Sequence, residues 1–170
     1  GNGSAYVTGI ELGGTLDLCA LTGWRHARGW SAGGTFAWNH GQDETNDIPL
    51  RHTMPANGTA TLRYDDPSPA RGLWFEAKGR FVGRYDRIPP DRLANDPGYF
   101  EDPQSAASGK RRSWGLPGYG VLDLRGGMRL GRHATLVLGV ENVFDRLYRP
   151  AHARWDAPGR SILVAVELIL

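Results

Sequence analysis

The residues able to do chemistry are few and scattered. Five histidines, His26, His40, His52, His133 and His152, are the natural metal ligands. None is paired at the short spacing of a zinc site, and most fall where turns or loops are expected, so we expect no metal among them. Cys19 is the single cysteine. It excludes an internal disulfide and a cysteine-based zinc cluster, and we read it as a buried or lipid-facing small residue. The stretch His40-Gly41-Gln42-Asp43-Glu44-Thr45-Asn46-Asp47 is rich in oxygen ligands for calcium. It lacks the alternating spacing of a calcium loop and reads as a solvated loop. Gly-x-Ser-x-Gly, His-Glu-x-x-His and phosphate-loop patterns are all absent. We therefore expect no enzyme, no catalytic residue and no cofactor.

Bulk composition narrows the classes further. Net charge is +2, with hydrophobic residues at 40% and charged residues at 22%, which excludes a disordered chain. The one basic cluster, Lys110-Arg111-Arg112, lies beside Gly109 and Ser113 and reads as a solvated loop, so no nucleic-acid partner is expected. No apolar run approaches the roughly 18 residues of a membrane helix. Barrel strands give a much weaker hydropathy signal, so that says nothing about a β-barrel.

The elements that must position these residues are strands. Apolar residues recur at period two between turn residues, and seven strands are expected, over 5–18, 30–39, 57–65, 73–85, 119–130, 134–144 and 161–170. Their alternation segregates charge. Leu73, Phe75, Ala77 and Phe81 share a face opposite Trp74, Glu76, Lys78, Arg80 and Arg84. Leu122, Leu124, Met128 and Leu130 lie opposite Asp123, Arg125 and Arg129. Leu62 and Tyr64 oppose Arg63 and Asp65, Leu136, Leu138 and Val140 oppose Glu141, Ile162, Val164, Val166 and Leu168 oppose Glu167, and Ile10, Leu12 and Leu16 oppose Glu11 and Asp17. Every strand charge falls on its polar face. A slip of one residue would reverse that placement, and an Arg or Lys facing lipid at mid-membrane costs roughly 2–4 kcal/mol.

Link lengths also alternate. Short links join strands one to two, three to four (through Asp66-Pro67-Ser68-Pro69) and five to six (through Gly131-Arg132-His133). Long ones cover 40–56, 86–118 and 145–160. Outer-membrane barrels have short periplasmic turns and long extracellular loops. A soluble β-sandwich shows the same two-faced alternation. Strands near ten residues, against about five or six in ordinary sheets, and aromatics toward strand ends (Trp30, Trp38, Tyr64, Tyr85, Tyr119, Phe144) favour the membrane. Both readings stay open on pattern alone.

The last third carries a resemblance. Pro117-Gly118-Tyr119 followed by Val121-Leu122-Asp123-Leu124-Arg125 is similar to the "PGY…DLR" strand of TonB-dependent receptors. Val140-Glu141-Asn142-Val143-Phe144-Asp145-Arg146-Leu147-Tyr148 resembles their "ENLFDxxY" segment, and Pro158-Gly159-Arg160-Ser161 their "PGR" strand opening. Weaker likenesses lie upstream, in Gly9-Ile10-Glu11-Leu12 and in Pro49-Leu50 with Pro55-Ala56-Asn57-Gly58. The motif residues Pro117, Gly118, Tyr119, Asp123, Glu141, Asn142, Phe144, Asp145, Tyr148, Pro158, Gly159 and Arg160 read as structural, with Asn142 and Asp145 bonding backbone where a strand leaves the membrane.

The resemblance implies an all-β, antiparallel transmembrane β-barrel segment. Residues 1–170 would be about seven strands of a barrel of about 22, with the plug domain and the earlier barrel strands absent from the chain. It implies an outer-membrane receptor of a Gram-negative cell for TonB-dependent uptake of a scarce solute such as a ferric siderophore or other metal chelate. Partners would be outer-membrane lipid, the cargo, and the plug and TonB system through the missing part. The lumen-facing set would be Arg63, Glu76, Lys78, Arg80, Arg84, Asp123, Arg125, Arg129, Glu141 and Glu167, whose mixed signs suit salt-bridge ladders. Tyr99, Phe100 and Trp114 in the longest loop would help capture the solute. The family often ends on an aromatic residue, and this chain ends on Leu170. The alternative function is a small independent β-barrel or β-sandwich that binds a ligand or serves structurally.

Overall fold

The computed structural model describes residues 3–68, 71–95, 103 and 115–168. Eight strands carry the fold: β1 (Ala5–Asp17), β2 (Trp30–Asp43), β3 (Ile48–Pro49), β4 (Asn57–Asp65), β5 (Trp74–Val82), β6 (Tyr119–Leu130), β7 (Ala134–Glu141) and β8 (Ser161–Leu168). Two short helices, α1 (Leu18–Thr22) and α2 (Pro90–Asn95), and a 3-10 turn at Arg25–Ala27 sit in the links. All pairings are antiparallel, in the order β1-β2-β4-β5-β6-β7-β8, with β3 paired to β2 alone. The sheet is one continuous meander, the topology that outer-membrane barrels use.

Register joins the strand faces into two surfaces. One row runs Leu16, Ala32, Leu62, Ala77, Leu124, Val140, Ile162 across seven strands. The next row, on the opposite face, runs Asp17, Ser31, Arg63, Glu76, Arg125, Gly139, Leu163. The same parity places all the expected charges that lie within the paired strands on one common face, and Arg84 falls past the end of β5. The apolar surface is uncovered: Leu12, Phe75, Leu138 and Val164 are exposed, and Ile162 is 80% exposed. A soluble sandwich would bury this face under a second sheet, and the described residues supply none. The buried hydrophobic cluster lies instead among the loops, where Tyr85 and Leu116 pack with Ile88, Leu93 and Ala151.

Several boundaries differ from the expectation. Strand two continues to Asp43 because β1 stays paired with it as far as Ala5, and Ile48–Pro49 folds back onto Gln42 and Asp43, which adds an eighth, two-residue strand to the seven expected. Strand β1 yields to a helix at Asp17, whose Oδ1 accepts the Ala20 N–H at 2.9 Å and caps α1. Strand β5 is regular only over Trp74–Val82, and β7 stops at Glu141, three residues early, because Asn142 turns the backbone to φ 50°. The ends of the sheet, among the described residues, are β1 and β8.

Candidate functional site: a charged wall and a loop hub

The polar face is built from side chains on adjacent strands that meet directly across the ladder. Arg63 Nη1 lies 3.4 Å from Glu76 Oε2, its register partner, and the same guanidinium holds Asp65 at 2.8 Å. That guanidinium also sits 4.6 Å over the Trp74 ring, a cation–π contact. Gly127 admits this indole, since a Cβ there would lie 2.6 Å from Trp74 Nε1. Arg80 Nε reaches Asp123 Oδ2 at 3.1 Å, and Arg125 pairs with Glu141. Lys78 sits in register between Thr61 and Asp123. With its neighbours Glu76, Arg80, Asp123, Arg125 and Glu141 it lines a recess of about 290 Å³. Arg129 and Glu167 share the face farther along, both in register with Thr135. Arg84 stands past the end of β5 and meets Asp86 at 3.6 Å.

Beside this tall, charged region the face becomes low, with small residues bordered by Arg63 and Glu76. Gly13, Thr15, Gly33, Thr35, Thr59 and Thr61 form a second recess of about 410 Å³, tied by a 2.9 Å bond between the Thr35 and Thr59 hydroxyls. The wall therefore has a bulky charged half and a small-residue half.

The motif residues converge where β7 ends and β6 and β8 begin. The Asp123 carboxylate, on a residue 6% exposed, accepts Arg80 on one side and the Asn142 N–H at 2.9 Å on the other. Asn142, 3% exposed, donates from Nδ2 to the Arg146 and Pro158 carbonyls, and its Oδ1 accepts the Arg146 N–H. Asp145 Oδ1 accepts the Arg160 N–H at 2.7 Å. Both Asn142 and Asp145 adopt left-handed backbone, at φ 50° and 52°, a conformation that short polar side chains tolerate best. Gly159 must lack a Cβ because one would come within 2.5 Å of Asp145 Oδ1. Gly118 O accepts Arg146 Nη2 at 3.3 Å, and the Tyr119 and Tyr148 rings lie 4.3 Å apart. Phe144 points outward, 74% exposed. Most of these side-chain bonds go to backbone, and the Asp123–Arg80 pair joins them to the charged wall, so the arrangement is a knot that fixes the strand exit.

The long links close over one another at the same end. The Tyr85 and Leu116 backbones exchange bonds of 2.9 and 3.0 Å. Arg87 Nη2 donates to Gln42 Oε1 at 2.6 Å and to the Gly41 carbonyl at 3.3 Å, which ties the link after β5 to the tip of β2. Arg51 pairs with Asp91. His52 and His152, from different links, bring their rings to 5.4 Å, and His152 meets Tyr85 edge-on at 5.2 Å. Burial holds the His152 pKa below the usual imidazole value, and the nearby His52 and Arg92 charges act in the same direction. A cleft of about 680 Å³ opens between Ile48, Pro49, Leu50 and Arg51 on one link and Pro89, Pro90 and Asp91 on another.

Sequence reasoning expected no histidine pairing, because His52 and His152 lie far apart in the chain; only the meander brings their links together. The oxygens of the loop 40–47 are taken up by protein groups: Glu44 Oε2 accepts the Ser4 hydroxyl at 2.7 Å and Thr45 Oγ1 the Ser4 N–H at 2.8 Å. Asp43 Oδ1 accepts the Thr45 and Asn46 N–H groups and Oδ2 accepts Asn46 Nδ2. Among the described residues no cluster of three or more metal-ligating side chains exists. Tyr99, Phe100, Trp114, Lys110–Arg112 and Leu170 lie outside the described residues.

Comparison with known proteins agrees with this geometry. Residues 1–143 match the family described as "TonB dependent receptor-like, beta-barrel". No curated protein matches the sequence. Among solved structures, the chain resembles one titled "Copper transporter OprC", with a TM-score of 0.71 and 22% identity, covering 98% of this chain and 24% of that one. Two variants of the FrpB iron transporter from Neisseria meningitidis follow. F3-3 has a TM-score of 0.64 at 20% identity, and F5-1 has 0.63 at 18%. They cover 96% of this chain, against 23% and 24% of their own. At these identities the likeness speaks for the fold, and this chain spans about a quarter of each of those proteins' length.

Proposed function

This chain belongs to the TonB-dependent receptor-like β-barrel family, and on that premise we propose that it forms one stretch of the wall of an outer-membrane uptake receptor. Residues 1–170 would be the C-terminal part of a barrel of about 22 strands, the plugged-lumen size class. The plug and the TonB-contacting segment would belong to the rest of the receptor. The charged face would line the lumen and the apolar face would meet lipid in the Gram-negative outer membrane. A single observation carries this reading: across seven paired strands every charge shares one face, and the other face is apolar and uncovered.

The cargo would be a scarce solute of the metal-chelate class, such as a ferric siderophore. The titles of the similar structures name copper and iron transport for those proteins, and that supports the class without selecting a member. In this orientation the short links lie in the periplasm. The loop hub, with its proline-lined cleft, faces the medium and would contribute to capture. The paired charges Arg63–Glu76, Arg80–Asp123 and Arg125–Glu141 would brace the wall and meet the plug. Mixed signs suit that task better than charge selection, which uses rings of one sign.

The test is uptake of a labelled ferric chelate by cells carrying or lacking the gene for the intact receptor, with and without TonB. The proposal expects gene- and TonB-dependent accumulation of at least one chelate of the class. Accumulation of the whole panel that is indifferent to both deletions would refute the uptake role.

A further inference from the structure

The link between β1 and β2 differs from the other links at its end of the sheet. Gly131-Arg132-His133 is a minimal turn, and Asp66 to Leu73 is closed by the Asp66 N–H on the Leu73 carbonyl at 2.8 Å. The segment from Leu18 to Gly29 instead builds a small ordered hook. Asp17 caps α1, and Gly23 ends it in left-handed backbone at φ 68°, its N–H on the Cys19 carbonyl. Thr22 Oγ1 donates to the Leu18 carbonyl and accepts the Trp24 N–H at 3.2 Å. The return is pinned to β4 by the Asp65 N–H on the Gly29 carbonyl at 2.8 Å. This rigid frame holds Leu21 and Trp24 outward, 64% and 63% exposed.

An ordered frame that presents a leucine and a tryptophan to the outside calls for a partner. Two observations say which. The hook carries Arg25, His26 and Arg28 and no carboxylate, so its surroundings should be anionic. Its return also leads straight into Trp30, which packs on Tyr64 at 5.1 Å on the apolar face of the sheet. Tryptophan and tyrosine at that position form an interfacial girdle. Hook and girdle are therefore continuous.

We propose that the Leu18–Gly29 hook is a lipid-interface anchor. Leu21 and Trp24 enter the headgroup boundary of the leaflet at the short-link end, and Arg25 and Arg28 bind anionic phospholipid headgroups there. The physics is that of an interfacial helix in miniature: apolar burial sets the depth, and basic residues add attraction to anionic lipid. The inference rests on the membrane reading above. It assigns to this link a fixed depth and a lipid preference that the minimal turns beside it lack.

The test labels the intact receptor with an environment-sensitive fluorophore at Leu21→Cys, in a Cys19→Ser background, after reconstitution into vesicles of phosphatidylcholine with or without phosphatidylglycerol. Quenching by headgroup-region spin-labelled lipid is compared with the same label at Arg132→Cys in the neighbouring turn. Quenching should be about twofold stronger at Leu21→Cys and should rise with the anionic fraction. Neutralising Arg25 and Arg28 to Ser should shift the equilibrium between buried and wet label about fivefold per arginine in anionic vesicles, and little in neutral ones. A label at Leu21→Cys no more quenched than at Arg132→Cys, in protein that stays with the vesicles, overturns the anchor alone and means that water or protein covers the hook. Protein that leaves the vesicles without detergent overturns the membrane reading and the anchor with it.

Discussion

Replacing Asp123 with Ala should unseat the strand exit. The carboxylate has two duties. It accepts the buried Asn142 N–H at 2.9 Å, and it pairs with Arg80 at 3.1 Å. An unsatisfied buried donor costs about 1–3 kcal/mol. The Arg80 side chain is 40% exposed, so the loss of its partner is screened and adds roughly 0.2–1 kcal/mol. Together these give a destabilisation of about 1–4 kcal/mol, concentrated where β6 meets the Asn142 turn. Asp123→Asn separates the duties. It keeps an acceptor for the Asn142 N–H and loses the charge and the acceptor for the half-exposed Arg80, so it should cost about 1 kcal/mol. The assay is urea unfolding of the intact receptor in detergent micelles, followed by tryptophan emission. Hydrogen exchange at the Asn142 and Arg146 amides reports the local effect. An Ala variant within about 0.5 kcal/mol of the parent, with those amides still protected, would falsify the argument that the knot is held through Asp123.

Two further outcomes follow from the same geometry. Gly127→Val would place a Cβ 2.6 Å from Trp74 Nε1. It should force the indole off Arg63, costing about 1–3 kcal/mol by overpacking and shifting Trp74 emission to the red; unchanged emission and stability would contradict the packing. The loop hub should loosen in acid. The His152 pKa is lower in the folded hub than the ordinary value of 6.5, so the folded hub binds fewer protons than the opened one. Its stability is therefore full above about 6.5 and declines as pH falls below that value. Proteolysis of the loops should accelerate between neutral pH and pH 5 in the parent and much less in His152→Gln; equal acceleration in both would remove His152 from the account.

Much of this was legible because the constraints were local. Lys78 and Arg80 with Phe75 and Phe81 set the phase of β5 without any knowledge of its neighbours, because period two sends successive residues to opposite faces. The register across strands was then nearly forced, since any odd slip would carry a row such as Arg63–Glu76–Arg125 to the apolar side. Early strand stops were harder to read. Glu141-Asn142-Val143-Phe144 breaks the alternation, with Asn142 on the apolar face and Val143 on the polar one, but the left-handed turn at Asn142 is held by acceptors farther along the chain. The Ile48–Pro49 pairing was invisible because two residues carry no period. The hub was invisible for a different reason. His52, Tyr85, Leu116 and His152 belong to three links, and only a meander that returns each link to the same end makes them neighbours.

The central claim is that one face of this sheet meets lipid and the other meets a polar interior. It is tested most directly by placing a nitroxide at each position from Phe75 to Val82 in turn, in the intact receptor in its membrane, and measuring collision with oxygen and with a water-soluble nickel chelate. The account predicts strict alternation. Phe75, Ala77, Gly79 and Phe81 should be reached by oxygen and shielded from nickel, and Glu76, Lys78, Arg80 and Val82 should be shielded from oxygen. Nickel access at Phe75, Ala77, Gly79 and Phe81 equal to that of an aqueous loop would contradict it.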